Sequence, residues 1–594
     1  MKRPTIPFAE TFKNFLPLKQ YFVQNRWPLA IGLLSLLLVD FLQLLIPLVI
    51  KNAIDLLTAQ APTVQTLFRM AVTILGIALT IALFRYVWRH LILGHSRKVE
   101  QNLRNRLYAH LQTLSPSFYQ RTKTGDLMAR AINDINAIRM ATGIGLVAMT
   151  DGTVLGVAAI GFMMSINVKL TIISLIPAPI IVIFTRILTR RMSSGFETAQ
   201  KTFSDLTERT REAFSGIRVI KAHDRESWEY KKIREQGQRY VSVNMNLAKT
   251  LAFFFPMMAI FTNVGLVIVI WLGGRLTILG DITTGDFVAF ISYLNLLTWP
   301  MMAMGWVTNL AQRGSASMRR INHILEEVPE ITDTTCCEYP HQIRGKIEIR
   351  GLNFRYPGQN GNALKDLRFR IDPGETIAVV GRVGSGKSTL LNAIPRLLDV
   401  PPGSVFVDGT DIREIPLKIL RGNIGFVTQE IFLFSDTIRN NVLFGREGIS
   451  DHELEAVLRT AHIFEDIQAL DKGLDTRLGE RGMTLSGGQR QRLTIARAIL
   501  RFPPILILDD ALSMVDTRTE ERILNQILEL RRDKTRLIVS HRVSTIIRAD
   551  RILVLDRGKL VEQGTHHELL GKGGLYATLY EEQLIVEELE MGAK

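Results

Sequence analysis

The sequence predicts a multidomain chain: an all-α domain of six membrane-crossing helices, followed by an α/β domain built on a parallel sheet. Three observations predict it. Six apolar segments long enough to cross a bilayer fill the first half. Basic residues gather in alternate connections between those segments. From about residue 346 the pattern changes to short apolar strands alternating with helical runs.

The apolar segments run near 27–50, 66–93, 140–166, 168–190, 248–273 and 285–309. The stretch from Arg85 to Arg139 is rich in Arg and Lys, as is the stretch from Arg186 to Arg234. The other three connections carry little beyond Lys51, Lys169 and Arg275. Charge asymmetry of this kind puts the basic connections and both termini in the cytoplasm. The third and fourth segments meet at a tight connection around Asn167 and Lys169, which predicts an antiparallel pair. Apolar spacing continues beside the charges, so the helices extend past the bilayer. Short turns fall within Ser117–Asp134 and Gly216–Glu226.

The net charge of +15 suits these loops better than a nucleic-acid surface, because the charge lies between apolar spans. The only two cysteines, Cys336 and Cys337, are adjacent, which excludes a disulfide framework or a zinc site. Pro329, the Cys pair and Pro340 break helical periodicity and mark a linker. The expected parts are an N-terminal segment 1–26, a membrane domain 27–320, a linker 321–345, an α/β domain 346–582 and a tail 583–594.

In the second half, IEIRGLNFRY alternates as a half-buried strand does, and TIAVVG and ILILDD are continuous apolar runs of buried parallel strands. Between TIAVV and the helical run TLLNAIPRLL lies GRVGSGKST, which satisfies G-x-x-x-x-G-K-[ST]. Gly381, Arg382, Val383, Gly384, Ser385 and Gly386 form a loop whose N–H groups can curl around phosphate. Lys387 supplies a charge for the β- and γ-phosphates, Ser388 a hydroxyl for Mg²⁺, and Thr389 continues the turn. The run Ile505–Asp510 ends with Asp509 positioned to hold Mg²⁺ through water. ATP and Mg²⁺ are therefore the expected ligands, and the second half is read as an α/β P-loop NTPase domain.

With these motifs in order, the chain resembles an ABC exporter half-transporter over nearly its whole length. The resemblance implies a role for each further match. LSGGQ, with Ser486, Gly487, Gly488 and Gln489, matches the signature that contacts the γ-phosphate of ATP held by the opposite domain. Tyr356 matches the aromatic residue stacked on adenine. Gln429 matches the glutamine that senses Mg²⁺ and the attacking water, and His541 matches the switch histidine. Asp516 matches the loop after the acidic strand, and Leu478–Gly482 the loop that touches the partner's membrane helices. The segments Ser117–Asp134 and Gly216–Glu226 resemble the two coupling regions.

One position departs from the pattern. The family's general base is a Glu directly after the acidic strand, and here it is Asp510. Shortening the side chain by one methylene displaces the carboxylate by about an ångström, a shift that can lose about a hundredfold in rate. With LSGGQ intact, the asymmetry resembles the degenerate-site subunit of heterodimeric ABC multidrug exporters. The implied partner is a second half-transporter with the Glu and an altered signature. Two acidic residues, Asp40 and Asp151, lie inside apolar spans with no basic residue close in sequence. With Trp299 and Trp306 they are candidates for contacting a hydrophobic, cationic cargo. The expected function is ATP-driven export of hydrophobic or amphiphilic compounds. The competing readings are a homodimeric lipid flippase of the same family, and an ATP-gated channel or regulatory membrane protein.

Overall fold

A computed structural model describes residues 13–59, 64–333, 342–359, 361–479, 482, 484–500, 502–529, 533–540 and 542–592. The chain falls into two compact units, residues 1–112 with 124–327, and residues 113–123 with 328–594. The linker cysteines Cys336 and Cys337, with Pro340, lie outside the described residues, as do Glu480, Arg481 and His541.

The first unit is helical throughout. Its long helices are α1 (Arg26–Ala59), α2 (Val64–Trp88), α3 (Leu146–Ile166), α4 (Pro177–Ser215), α5 (Glu226–Ile268) and α6 (Thr284–Leu325). Helical structure continues from α2 through Thr113 and begins before α3 at Thr124. Four spans, Arg26–Thr58, Val64–Thr113, Thr124–Ile166 and Thr284–Leu325, are long and apolar enough to cross a membrane among the described residues. The expected fourth span is not one continuous helix. Asn167 caps a short helix, Val168–Ser174, by accepting the Leu170 N–H at 3.0 Å. The chain then turns at Leu175–Ile176 before α4 starts on Pro177. Proline at the first helical position has no N–H to donate back into the preceding turn, so the helix restarts there.

Polar contacts join α1 to α6. The Lys51 ammonium meets the Asp286 carboxylate at 2.6 Å. Asp55 accepts from the Gly285 N–H at 2.8 Å and from the Thr283 hydroxyl at 2.9 Å. Gly285 is needed here, because a Cβ would sit 2.3 Å from the Lys51 carbonyl oxygen. Further along, the Tyr293 hydroxyl donates to the Leu44 carbonyl at 2.9 Å inside an apolar cluster with Leu155, Met163 and Phe290. Near its C-terminal end, α6 carries Ser317 and Arg320, which both donate to the buried Asp134. The hairpin of α4 and α5 is held by Arg209, which donates to Glu229 at 2.7 Å. The expected turn between them is the short helix Ile217–Ala222.

The second unit contains two sheets. The strands are β1 (Ile347–Phe354), β2 (Leu364–Ile371), β3 (Thr376–Val380), β4 (Val405–Val407), β5 (Thr410–Asp411), β6 (Ile424–Val427), β7 (Ile505–Asp509), β8 (Thr535–Val539), β9 (Arg551–Asp556) and β10 (Lys559–Gly564). One sheet has the order β2-β1-β4-β5 and is antiparallel. The other has the order β10-β9-β3-β8-β7-β6, parallel except for the edge pair β9–β10. Strands β3, β7 and β8 are buried along their whole length, as the apolar runs of β3 and β7 require. Each apolar side chain of Ile505–Leu508 contributes about 1.5–3 kcal/mol by leaving water. The helix after β3, α7 (Lys387–Ala393), is shorter than the run TLLNAIPRLL suggested. Pro395, and Arg396 at φ +51°, end it.

Residues 113–123, which include the start of the expected coupling region Ser117–Asp134, also belong to this unit. They contain a short helix, Pro116–Arg121. The Ser115 and Ser117 hydroxyls donate to Glu330 at 2.9 and 2.5 Å, and Arg121 lies 3.6 Å from the same carboxylate.

Candidate functional site

The C-terminal edge of the parallel sheet collects the expected nucleotide residues. In open α/β sheets a ligand sits in the crevice at this edge. The phosphate loop follows β3, Gln429 follows β6, Asp509 ends β7, and Ser540 follows β8. His541 is the next residue in that last segment but lies outside the described residues.

The loop itself explains its glycines. Gly381, Gly384 and Gly386 have φ of +154°, +78° and +103°. A Cβ at Gly381 would lie 2.2 Å from the Leu555 carbonyl oxygen, and one at Gly386 would lie 2.8 Å from that of Ala363. Arg382, Val383 and Gly384 form the exposed crest, and Ser385 is buried beneath it. The Lys387 ammonium is buried and donates to the Gly381 carbonyl at 2.7 Å and the Arg382 carbonyl at 3.0 Å. Burial pushes its pKa down, while the charges of Asp509 and Asp510 oppose that shift. Lys387 therefore lies within electrostatic reach of both carboxylates. Ser388 follows, half-buried, on the first turn of α7. Thr389 shares a hydrogen bond of 3.2 Å with the Tyr356 hydroxyl, which fixes the aromatic ring relative to the phosphate loop. Phe354 packs edge-on against the same ring at 5.0 Å.

These residues fit a nucleotide and a hard divalent cation. Buried Lys387 beside a loop that only glycine can trace suits the phosphates. The Ser388 hydroxyl, the Asp509 carboxylate and the exposed Gln429 amide are oxygen donors of the kind Mg²⁺ takes. Asp509 is 3% exposed. Asp510 follows in a left-handed conformation, φ +52°, and its N–H donates to the Val539 carbonyl at 3.0 Å.

The signature segment opens a second helix, α8 (Gly487–Ile499). Ser486 caps it through a reciprocal pair: its hydroxyl accepts from the Gln489 N–H at 3.2 Å, and Gln489 Oε1 accepts from the Ser486 N–H at 3.0 Å. Because the Ser486 oxygen is the acceptor, its own proton remains available to a phosphate oxygen. Gln489 Nε2 donates to Asp466 at 3.0 Å, and Asp466 also accepts from Arg492 at 2.8 Å. Gly487 and Gly488 are compact for a reason on the protein side. A Cβ at either would lie 2.8 Å from Met514 Sδ or 2.9 Å from the Met514 carbonyl oxygen. Asp516 accepts the Thr519 N–H at 3.0 Å, and that bond holds its carboxyl below the usual range.

Sequence reasoning missed the contacts behind these motifs. Gln491, 2% exposed, ties α8 to the loop after β7. Arg542 pairs with Glu520, and Thr545 donates to the same carboxylate at 2.5 Å. Nothing in the sequence pairs Glu520 with residues 22 and 25 positions away.

In the membrane unit, Asp40 on α1 and Asp151 on α3 are neighbours. Trp299 on α6 donates to Asp151 at 3.0 Å. Asp40 is 1% exposed, and among the described residues no donor reaches its oxygens. Trp306 lies two turns further along α6, about 10 Å along the helix axis, on the same face but apart from the acidic pair.

The fold and these motifs define a membrane-spanning helical domain joined to a P-loop ATPase domain. Residues 29–301 match the family model for the ABC transporter transmembrane region, and residues 364–513 match the family model described as ABC transporter. The chain is 36% identical over 579 residues to the probable multidrug resistance ABC transporter ATP-binding/permease protein YheI of Bacillus subtilis, covering 96% of this chain and 98% of YheI. It is 36% identical over 487 residues to the ATP-dependent lipid A-core flippase of Syntrophus aciditrophicus, covering 82% and 81%. A solved bacterial Atm1-family ABC exporter with ATP bound matches at a TM-score of 0.76 and 27% identity, covering 95% of this chain and 98% of that one. The chain belongs to the ABC exporters of the half-transporter type: an integral membrane protein whose ATPase domain supports hydrolysis coupled to transport.

Proposed function

We propose that this chain is one subunit of a heterodimeric exporter that moves hydrophobic or amphiphilic compounds out of the cytoplasm by alternating access. Its partner is a second half-transporter that carries the catalytic Glu and an altered signature. The observation that carries this reading is the combination of Asp510 at the base position with a complete, capped LSGGQ segment. In this reading Tyr356 stacks on adenine, and Gly381–Gly386 and Lys387 hold the phosphates. Ser388, Gln429 and Asp509 hold Mg²⁺, which when bound offsets charge on the phosphate oxygens. Asp510 and His541 face the attacking water and the γ-phosphate from one chain; Ser486–Gln489 reach the ATP of the other. ATP closes two such domains, and the segments at Ser117–Asp134 and Gly216–Glu226 carry that closure to the membrane helices. Both termini and the ATPase domain lie in the cytoplasm, and the domain boundaries are those drawn from the sequence.

The relatives' names favour multidrug and lipid cargo. A cationic amphiphile suits the neighbouring Asp40 and Asp151 with Trp299, because intramembrane carboxylates facing one another are relieved by a positive charge. Trp306 extends the same face of α6 for apolar contact.

The test is reconstitution in lipid vesicles of this chain alone and with a co-expressed second half-transporter. Heterodimeric export requires slow ATP hydrolysis alone and brisk hydrolysis with the partner. ATP-dependent accumulation of cargo against its gradient excludes a channel. Brisk hydrolysis by the chain alone, with lipid translocation, would instead support the homodimeric flippase reading, which the Syntrophus aciditrophicus relative favours. Neutralising Asp40 and Asp151 together must lower transport of cationic cargo; unchanged transport overturns their assignment.

A further inference from the structure

Gln491 sits on the first turns of α8, five residues beyond Ser486 and two beyond Gln489. A two-residue step turns about 200° around a helix, so Gln491 points away from Gln489, on the face that Gly487 and Gly488 share. It is 2% exposed, and its amide is used at both ends. Oε1 accepts the Met514 N–H at 2.7 Å. Nε2 donates to the Ser513 hydroxyl at 3.0 Å and lies 3.4 Å from the Asp510 carbonyl oxygen. The Ser513 hydroxyl in turn donates to that same Asp510 carbonyl at 3.2 Å. One side chain on the signature helix therefore holds the backbone of the loop that begins at the base position.

Two further observations make this a junction. The signature glycines press on the same loop, since a Cβ at Gly488 would lie 2.9 Å from the Met514 carbonyl oxygen. From the other side, Arg542, the residue after His541, donates to the Ser513 carbonyl at 3.3 Å while paired with Glu520. Segments that serve this chain's own ATP and the segment that serves its partner's ATP thus converge on Ser513–Met514.

We propose that Gln491 is a positioning residue that couples the two ATP sites of the dimer, by tying the placement of Asp510 in one site to the seating of the signature helix on the other. It rests on the reading of Ser486–Gln489 as the contact to the partner's ATP. Gln491 touches no nucleotide. It fixes the loop at a backbone amide, a side-chain hydroxyl and a backbone carbonyl, so a shift of α8 moves the carboxylate-bearing turn with it. A misplacement of about 1 Å at a reacting group is enough to change turnover by about two orders of magnitude.

The experiment measures ATP hydrolysis of the full-length dimer in vesicles for the parent, Gln491→Met and Gln491→Glu, with the thermal midpoint of each. Gln491→Met keeps the volume and removes both hydrogen-bonding ends. The expected result is kcat lowered about tenfold or more with KM for ATP within about twofold, the pattern of lost transition-state positioning. Gln491→Glu provides the rescue. Its protonated carboxyl reproduces the amide's donor and acceptor, and its ionised form cannot donate to Ser513. Its kcat relative to the parent at the same pH must therefore rise as pH falls. Ser513→Ala removes the hydroxyl from the other side and must be non-additive with Gln491→Met. A parent-like kcat in Gln491→Met overturns the proposal. So does a parallel loss of kcat and thermal midpoint with no pH-dependent rescue, which marks a packing role only. The parent's own turnover and transport test the exporter reading separately; an inactive parent strikes that reading, whereas the variant-to-parent ratios strike this one.

Discussion

The phosphate-loop half and the signature half of the ATPase domain are built on different principles. The first is an edge of a parallel sheet, where β3, β6, β7 and β8 each deliver one segment to a common crevice. Its geometry is set by strands buried along their length, and Gly381 and Gly386 are required because a Cβ there would lie 2.2 and 2.8 Å from backbone carbonyl oxygens. The second half is the start of one helix, whose placement depends on caps and side-chain amides: Ser486, Gln489, Asp466 and Gln491. The rigid half carries the departure, Asp510, while the adjustable half keeps its complete sequence. On the proposed reading, shortening one carboxylate would slow chemistry without disturbing a sheet. An equal change in the signature would disturb a helix that also holds the loop after β7. On the heterodimer proposal, this difference is what would let one domain retain ATP and still serve hydrolysis elsewhere.

The strongest way to break this contrast is at Gly488. In Gly488→Val the new side chain meets the Met514 carbonyl, where even a Cβ would lie 2.9 Å away. Turnover of the dimer should fall by about a hundredfold or more, since the misplaced helix start no longer meets phosphate. Nucleotide binding at this chain's own loop, read by photolabelling at low temperature, should persist. Asp510→Glu probes the other half. Restoring the methylene should raise hydrolysis at this chain's own site about tenfold, measured as turnover paired with a signature-competent partner chain. An unchanged rate would show that the left-handed turn at Asp510, and not the side-chain length, limits the site. Lys387→Met should weaken nucleotide binding at the local site by about tenfold, through loss of the buried charge. It should lower total turnover only a few-fold if the partner's site does most of the hydrolysis.

Two central strands of the parallel sheet were legible, because continuous apolar runs are local signals, and the glycine-lysine spacing marked the loop after β3. TIAVV and ILILD are strands for the same reason that they read as strands: both faces are covered. The break at Leu175–Ile176 was not legible as a break, since proline inside an apolar run is also compatible with a kinked helix. The meeting of Asp40 with Asp151, and of Trp299 with Asp151, depends on three helices that are far apart in sequence. So does the hub at Ser513, where Gln491 and Arg542 arrive from 22 and 29 residues away. Periodicity shows which face of a helix is buried, not which residue of another helix it meets.

The smallest expected effect lies at Tyr356 and separates two contributions within the phosphate-loop half. The phenolic oxygen bonds Thr389 at 3.2 Å, and the ring packs on Phe354. Tyr356→Phe keeps the ring and removes only the bond. A typical intramolecular hydrogen bond contributes about 0.5–1.5 kcal/mol net, and this one is half-buried and long, so the lower end applies. ATP affinity at the local site should fall by less than about threefold, with turnover at the partner's ATP unchanged. Tyr356→Ala, which removes the stacking surface as well, should cost more affinity than Tyr356→Phe. If the two variants behave alike, the hydroxyl contact to Thr389 is what the residue supplies, and the ring contributes nothing to adenine. Titrating each variant with ATP, and with a nucleoside triphosphate whose base stacks less well, distinguishes these outcomes. Base preference should survive in Tyr356→Phe and collapse in Tyr356→Ala.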